Sequence, residues 1–187
     1  MNMLGSKTIE AERLILRATK EADLRILYDI LSIPEVNRYY LTSRLGKTFE
    51  DDYPWQLKKL ARADDSDVFQ WCIIKKSDNK CIGQISVQEK EGYPINIRDI
   101  GWFISPTEQR KGYAFEAASN VLNYMFKEVE IEGIKTSCAV CNPASFLLME
   151  KLGFERDGEV THEQNYTFVD GPVECYSYKV MRESFFK

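Results

Sequence analysis

The residues best equipped for chemistry are Gln109-Arg110-Lys111-Gly112-Tyr113-Ala114. They stand between a strand-like stretch that ends at Ser105 and an apolar-periodic stretch that suits a helix. A strand–turn–helix with glycine at the turn presents consecutive unpaired backbone N–H groups, and the helix start adds partial positive charge, so such a turn can hold a phosphate or diphosphate. Arg110 and Lys111 add formal charge, Gly112 lets the backbone approach an anion closely, and Ala114 keeps the first helical turn narrow. No G-K-[ST] follows, which excludes a Walker phosphate loop, and G-x-G-x-x-G is missing, which excludes a dinucleotide fingerprint.

Other reactive side chains are sparse. Five cysteines, at 72, 81, 138, 141 and 175, are odd in number and scattered, so free thiols are expected rather than a disulfide framework. Cys138 and Cys141 have C-x-x-C spacing but sit in a strand-like run, where an offset of three puts side chains on opposite faces. His162 is the single histidine, so a zinc cluster has few possible ligands, and no metal is expected.

The elements that must position the turn follow from periodicity. Thr8 to Ala18 suits a first strand, and Glu21 to Leu31 a helix with Leu24, Leu27, Tyr28 and Leu31 as its buried stripe. Pro34 interrupts; a helix is expected around Trp55 to Ala63. Phe69 to Lys76 and Lys80 to Glu89 read as an antiparallel hairpin, and Ile97 to Ser105 as a strand stopped by Pro106. Ala114, Ala117, Ala118, Val121, Leu122 and Met125 mark a helix with one buried face. Ile134 to Val140 is a strand, Pro143 to about Leu152 a helix stopped by Gly153, and Glu155 to Val169 and Val173 to Met181 are two further strand-like runs. Strands and helices interleave around one mixed sheet: an α+β or α/β architecture, read as a single domain over residues 1–187.

With 25 basic against 29 acidic residues in 187, the net charge is −4, and no Lys/Arg-dense stripe appears. That argues against an extended nucleic-acid or anionic-membrane surface and points to a small partner. No apolar run approaches the roughly 20 residues of a membrane helix, and Met1 to Lys7 has no stretch of signal-peptide character, so cytoplasm is the expected compartment.

Three ordered motifs then carry a resemblance: Ile100-Gly101-Trp102-Phe103-Ile104-Ser105-Pro106, Gln109 to Ala117, and Asn142-Pro143-Ala144-Ser145 running into Lys151-Leu152-Gly153-Phe154. The chain resembles the GNAT superfamily of acyl-CoA-dependent N-acyltransferases, and within it the RimJ/RimL-like branch, whose first strand Glu12-Arg13-Leu14-Ile15-Leu16-Arg17 also looks like. The resemblance implies a splayed, mostly antiparallel mixed sheet flanked by helices. Gln109-x-x-Gly112-x-Ala114 matches the diphosphate signature, so the amides of Arg110, Lys111, Gly112, Tyr113, Ala114 and Phe115 are carried over as donors. Close relatives of the branch often have a second glycine where Arg110 stands. Phe103 and Ile104 are expected to offer strand backbone to the pantetheine arm, Asn142 to hydrogen-bond it, and Ser145 to lie near the thioester. By residue chemistry alone, Asn142 and Pro143 equally suit an N-cap and first helical position, with Ser145 satisfying the first turn.

The chemistry implied is direct attack of an amine on the acetyl-CoA thioester. It needs a base, an oxyanion donor, and an acid for the departing thiolate. The Ile104 amide is the expected donor, and Ser145 the expected acid, because Phe146 and Met149 leave this helix without the tyrosine of many relatives. Glu163 is the expected base, with Glu159 second; both, and His162 between them, also suit solvated strand positions. Glu35, Tyr39, Tyr40, Asp51, Asp52 and Trp55 could wall the acceptor side or be plain surface. The acceptor implied is a protein N-terminal amine or a small amine, with the enzyme a monomer or homodimer. A non-catalytic acyl-CoA-binding or interaction module of the same fold is the alternative.

Overall fold

The computed structural model describes residues 1–40, 47–165 and 171–186, with 159–165 described by backbone only. Its centre is an eight-stranded mixed sheet: β1 (Ile9–Glu10), β2 (Leu14–Ala18), β3 (Phe69–Lys75), β4 (Lys80–Glu89), β5 (Ile97–Ile104), β6 (Gly133–Ala139), β7 (Glu155–Asn165) and β8 (Pro172–Met181), in the order β1-β2-β3-β4-β5-β6-β8-β7. All neighbours run antiparallel except β5 and β6. The expected α+β class with a mixed, mostly antiparallel sheet is what the structure has.

Strand β3 explains why helices cover both faces. Phe69, Trp71 and Ile73 are buried on one face, Cys72 and Ile74 on the other, so neither can be left to water. On the first face lies α4 (Tyr113–Tyr124), continued by a wider π-helical turn, Met125–Val129. Its Ala117, Ala118, Val121 and Leu122 are fully buried, and α5 (Pro143–Lys151) adds Met149 to the same core. Each buried Val or Leu contributes about 1.5–3 kcal/mol. On the second face α1 (Leu24–Leu31) buries Leu27, Ile30 and Leu31 against Cys72, Ile74 and Phe103, and the short α2 (Pro34–Asn37) adds Val36.

Some expected elements shift. The single strand over Thr8 to Ala18 is a small hairpin, closed by the Ala11 N–H on the Leu14 carbonyl at 2.9 Å. The helix from Glu21 opens as a 3-10 turn, Glu21–Asp23, and its buried stripe uses Ile30 rather than Tyr28. The helix expected around Trp55 begins earlier, as α3 (Phe49–Leu60). Thr48 caps it: its hydroxyl accepts from the Asp51 amide at 3.2 Å, while the Asp51 carboxylate takes the Thr48 amide at 2.9 Å. Pro54 stands inside that helix.

The sheet comes apart in its middle. β5 and β6 pair only at Ile97 with Gly133 and Arg98 with Ile134; beyond that the Thr136 hydroxyl still donates to the Ile100 carbonyl at 3.1 Å, and the strands then diverge. On its other side β5 stays tightly laced to β4, where a Cβ on Gly83 would lie 2.1 Å from the Phe103 carbonyl oxygen. Only glycine fits that close approach.

Candidate active site

Between the diverging halves of β5 and β6 lies a cleft of about 740 Å³. Its walls include Trp102, Phe103 and Ile104 of β5, Cys138 of β6, the 109–115 turn, Asn142 and Ser145 at the start of α5, and Glu35, Tyr39 and Tyr40 beside α2. The three motifs scattered along the sequence thus meet at one opening. Of the upstream acidic and aromatic residues, Glu35, Tyr39 and Tyr40 reach it; Asp51, Asp52 and Trp55 belong to α3 instead.

The turn has the expected form. Gly112 caps α4 at φ +84°, in the left-handed region that side chains disfavour. Arg110, where relatives often have glycine, also sits there, at φ +61°. The departure in sequence is therefore absorbed as backbone strain, with the turn's shape kept. Among the described residues, no protein group accepts from the amides of Arg110 to Phe115; the first helical bond is made by the Glu116 amide, on the Gly112 carbonyl at 3.0 Å. All of these residues but Lys111 border the cleft, which makes their amides a ready anion site.

Charges around the turn are mostly paired. Glu108 bonds Lys75 at 2.9 Å and Lys111 at 3.0 Å, and those two side-chain hydrogen bonds hold its carboxyl below the usual range. Arg13 bonds Glu116 at 2.7 Å. Arg110 is left as a cation with no acidic partner among the described residues. The Gln109 carboxamide donates to the Ile104 carbonyl at 3.0 Å, fastening the turn to the end of β5.

One expectation is corrected. Antiparallel ladders alternate the side to which backbone groups point. The Ser105 N–H bonds the Ile82 carbonyl of β4 at 2.8 Å, so Phe103, two residues before it, also faces β4. Phe103 cannot offer main-chain groups to the gap; its ring packs edge-on with Tyr40, 5.6 Å between centroids. The groups that face the gap belong to Trp102 and Ile104, and with the Ile104 carbonyl held by Gln109, its N–H is the donor left for a ligand oxygen.

Across the gap, Asn142 caps α5, its Oδ1 accepting from the Ser145 amide at 3.3 Å. Its Nδ2 has no partner among the described residues, so the side chain both caps and presents a donor to the cleft. Burial pushes the Cys138 thiol up to about 11, outweighing the opposing influence of the nearby Ser145 hydroxyl, so Cys138 stays neutral at the cleft wall. Phe146 stacks edge-on with Tyr176, and Met149 is buried, so α5 brings no phenol to the cleft. Glu163 lies in β7, with its backbone opposite Glu174; its side chain, and those of Glu159 and His162, lie outside the described residues.

The model of the acetyltransferase (GNAT) domain matches residues 13–155. The chain belongs to the GNAT acetyltransferase family. The uncharacterized N-acetyltransferase YnaD of Bacillus subtilis (strain 168) is 31% identical over 150 residues, covering 80% of this chain and 84% of the relative. A GNAT-family acetyltransferase from Bacillus anthracis superposes with a TM-score of 0.80 at 27% identity, covering 95% of this chain and 99% of that one. Two structures below 25% identity share the fold. A Vibrio cholerae spermidine N-acetyltransferase in complex with CoA and spermine has a TM-score of 0.78 at 20% identity, covering 94% and 99%. A Vibrio fischeri ribosomal-protein-S5-alanine acetyltransferase has 0.74 at 19%, covering 96% and 99%. This GNAT protein is accordingly an N-acetyltransferase, and the non-catalytic module finds no support in its relatives.

Sequence reasoning missed Arg13 and Lys151. Lys151 lies at the cleft with its ammonium 4.4 Å from the Phe115 ring centroid. Both belong to the motifs quoted above, but neither motif has a spacing that says which residue would meet the turn. Among the described residues no helix is long and apolar enough to cross a membrane. Asp23, Cys72 and Cys81 do gather, ligand atoms within 4.8 Å, but both Asp23 oxygens are held by Arg17, at 2.7 and 2.8 Å. A cation there would have to displace a guanidinium.

Proposed function

We propose that this enzyme transfers acetyl from acetyl-CoA to a primary amine, in the manner of the RimJ/RimL-like branch, with a protein N-terminus or a small cationic amine as acceptor. One observation carries the reading: the amides of Arg110 and of Gly112 to Phe115, with no protein acceptor among the described residues, border a cleft that also exposes the unpaired edge of β5. That combination suits a diphosphate joined to an extended, strand-like arm.

The carrier supplies an activated thioester; the remaining roles fall to the chain. The diphosphate sits on the turn amides with Arg110 adding charge, and the arm lies along Trp102 and Ile104 in the place a paired strand would take. The Ile104 N–H receives the oxyanion as the amine attacks, and the carbon–sulfur bond then breaks. Ser145 is the proton donor to the leaving sulfur, and Glu163, with Glu159 second, takes the amine proton. Glu35 beside Tyr39 and Tyr40 favours a cationic acceptor at the far end of the cleft.

Isothermal titration with acetyl-CoA tests the first half: a folded sample that fails to bind removes the reading. Gly112→Asp should weaken binding severely, since it forces a side chain onto a backbone at φ +84° and pushes it against the Arg13 guanidinium behind the turn, distorting the shape that receives the diphosphate. Thiol release over spermidine, spermine and peptides with N-terminal alanine tests the second half, with turnover expected for one of these amine classes.

A further inference from the structure

Arg13, in the turn between β1 and β2, reaches the anion-binding turn with its amide and its guanidinium, while its carbonyl accepts from the Lys76 amide at 2.9 Å. Its amide donates to Glu116 Oε1 at 2.6 Å and its Nε to Glu116 Oε2 at 2.7 Å, so both carboxylate oxygens are taken. Its Nη1 donates to the Lys111 carbonyl at 2.9 Å. Its Nη2 stands 3.2 Å from where a Cβ on Gly112 would lie, and its guanidinium carbon is 4.7 Å from the Tyr113 ring centroid. One side chain therefore contacts Lys111, Gly112, Tyr113 and Glu116, the residues that bend the chain from the turn into α4.

The electrostatic setting gives this clamp a purpose beyond packing. Glu116 is in the first turn of α4, beside donors suited to a diphosphate, and only 11% of its side chain is exposed. An unpaired carboxylate there would oppose an incoming anion in a poorly hydrated place. A lysine could cancel the charge as a single point, but the planar guanidinium can bond the carboxylate and a carbonyl at once.

We propose that Arg13 is a positioning residue for carrier binding, holding the Lys111–Gly112–Tyr113 backbone in its anion-receiving shape and cancelling the Glu116 carboxylate. The inference rests on the proposed acyl-CoA site. It makes the β1–β2 hairpin, which does not line the cleft, part of the binding machinery.

The test is titration of CoA into the wild type, Arg13→Ala, Arg13→Lys and the double variant Arg13→Ala/Glu116→Gln, each checked for folding by circular dichroism. Arg13→Ala should weaken CoA binding by about tenfold or more, with Arg13→Lys between it and the wild type. The double variant should bind CoA more tightly than Arg13→Ala, because removing the stranded carboxylate relieves the repulsion. A merely structural role gives no such recovery. The proposal is overturned if Arg13→Ala binds CoA as the wild type does, or if the double variant is as weak as the single. A folded wild type that does not bind CoA would instead overturn the site reading, a distinguishable result.

Discussion

At the scale of single residues, the informative position is Arg110. It holds φ +61°, a conformation that costs a non-glycine residue about 1–2 kcal/mol, and its charge has no acidic partner among the described residues. The two properties predict opposite effects of Arg110→Gly. The strain is relieved, so the thermal midpoint should not fall, while the unfolded chain's greater freedom keeps any gain small. CoA affinity should drop several-fold at low ionic strength, and the gap should narrow in high salt, because the lost contribution is a screened surface charge. Calorimetry at two salt concentrations reads both; a salt-independent loss would show that Arg110 acts through shape. Sequence alone made Gly112 and Ala114 legible, since a glycine between strand and helix has few other uses. It could not show Phe103 facing β4, because that depends on the ladder's phase, which the Ser105–Ile82 bond sets.

At the scale of elements, the parts easiest to read were those whose local pattern and tertiary role agree. The β3–β4 hairpin and α4 fall close to where periodicity puts them. The segment from Glu35 to Asp65 did not read well because α3 is only partly amphipathic and contains Pro54; its start is given by the Thr48–Asp51 capping box rather than by apolar spacing. The join between β2 and α1 was equally silent, though it holds a paired ion. Arg17 bonds Asp23 through Nη1 and Nη2, and the Lys20 amide adds a third bond at 2.7 Å. Burial opposes ionisation of Asp23, but the Arg17 and Lys20 hydrogen bonds outweigh it and hold the carboxyl below its usual range. A carboxylate with a depressed folded value stabilises above its unfolded pKa of about 3.9, and that contribution is lost as pH falls through the folded value. Asp23→Asn should therefore cost about 2 kcal/mol near neutrality, with the deficit shrinking below about pH 4. Urea unfolding of both proteins at neutral and acid pH measures it, and a deficit that stays constant into acid would refute the linkage.

At the scale of the whole molecule, one sheet is built as two halves that touch only at one end. β5 and β6 share the Ile97–Gly133 and Arg98–Ile134 pairs and the Thr136–Ile100 hydrogen bond, and the rest of their facing edges borders the cleft. A strand edge without a partner is costly to leave dry and prone to opening, so a ligand that lies along it does more than occupy a volume. It completes the hydrogen bonding of the sheet's centre and ties the α4 side to the α5 side. Acetyl-CoA at about a hundredfold above its dissociation constant should then stabilise the fold by about 2.7 kcal/mol, visible as a rise in thermal midpoint. The effect should also be local. Hydrogen exchange at Trp102, Ile104 and the turn from Arg110 to Phe115 should slow strongly when acetyl-CoA is bound, because those N–H groups gain acceptors. The amides of β3, laced to β2 on one side and β4 on the other, should change little beyond the global gain. Uniform slowing across the sheet, with no excess at β5 and the turn, would mean that the carrier stabilises the protein without lying in the gap.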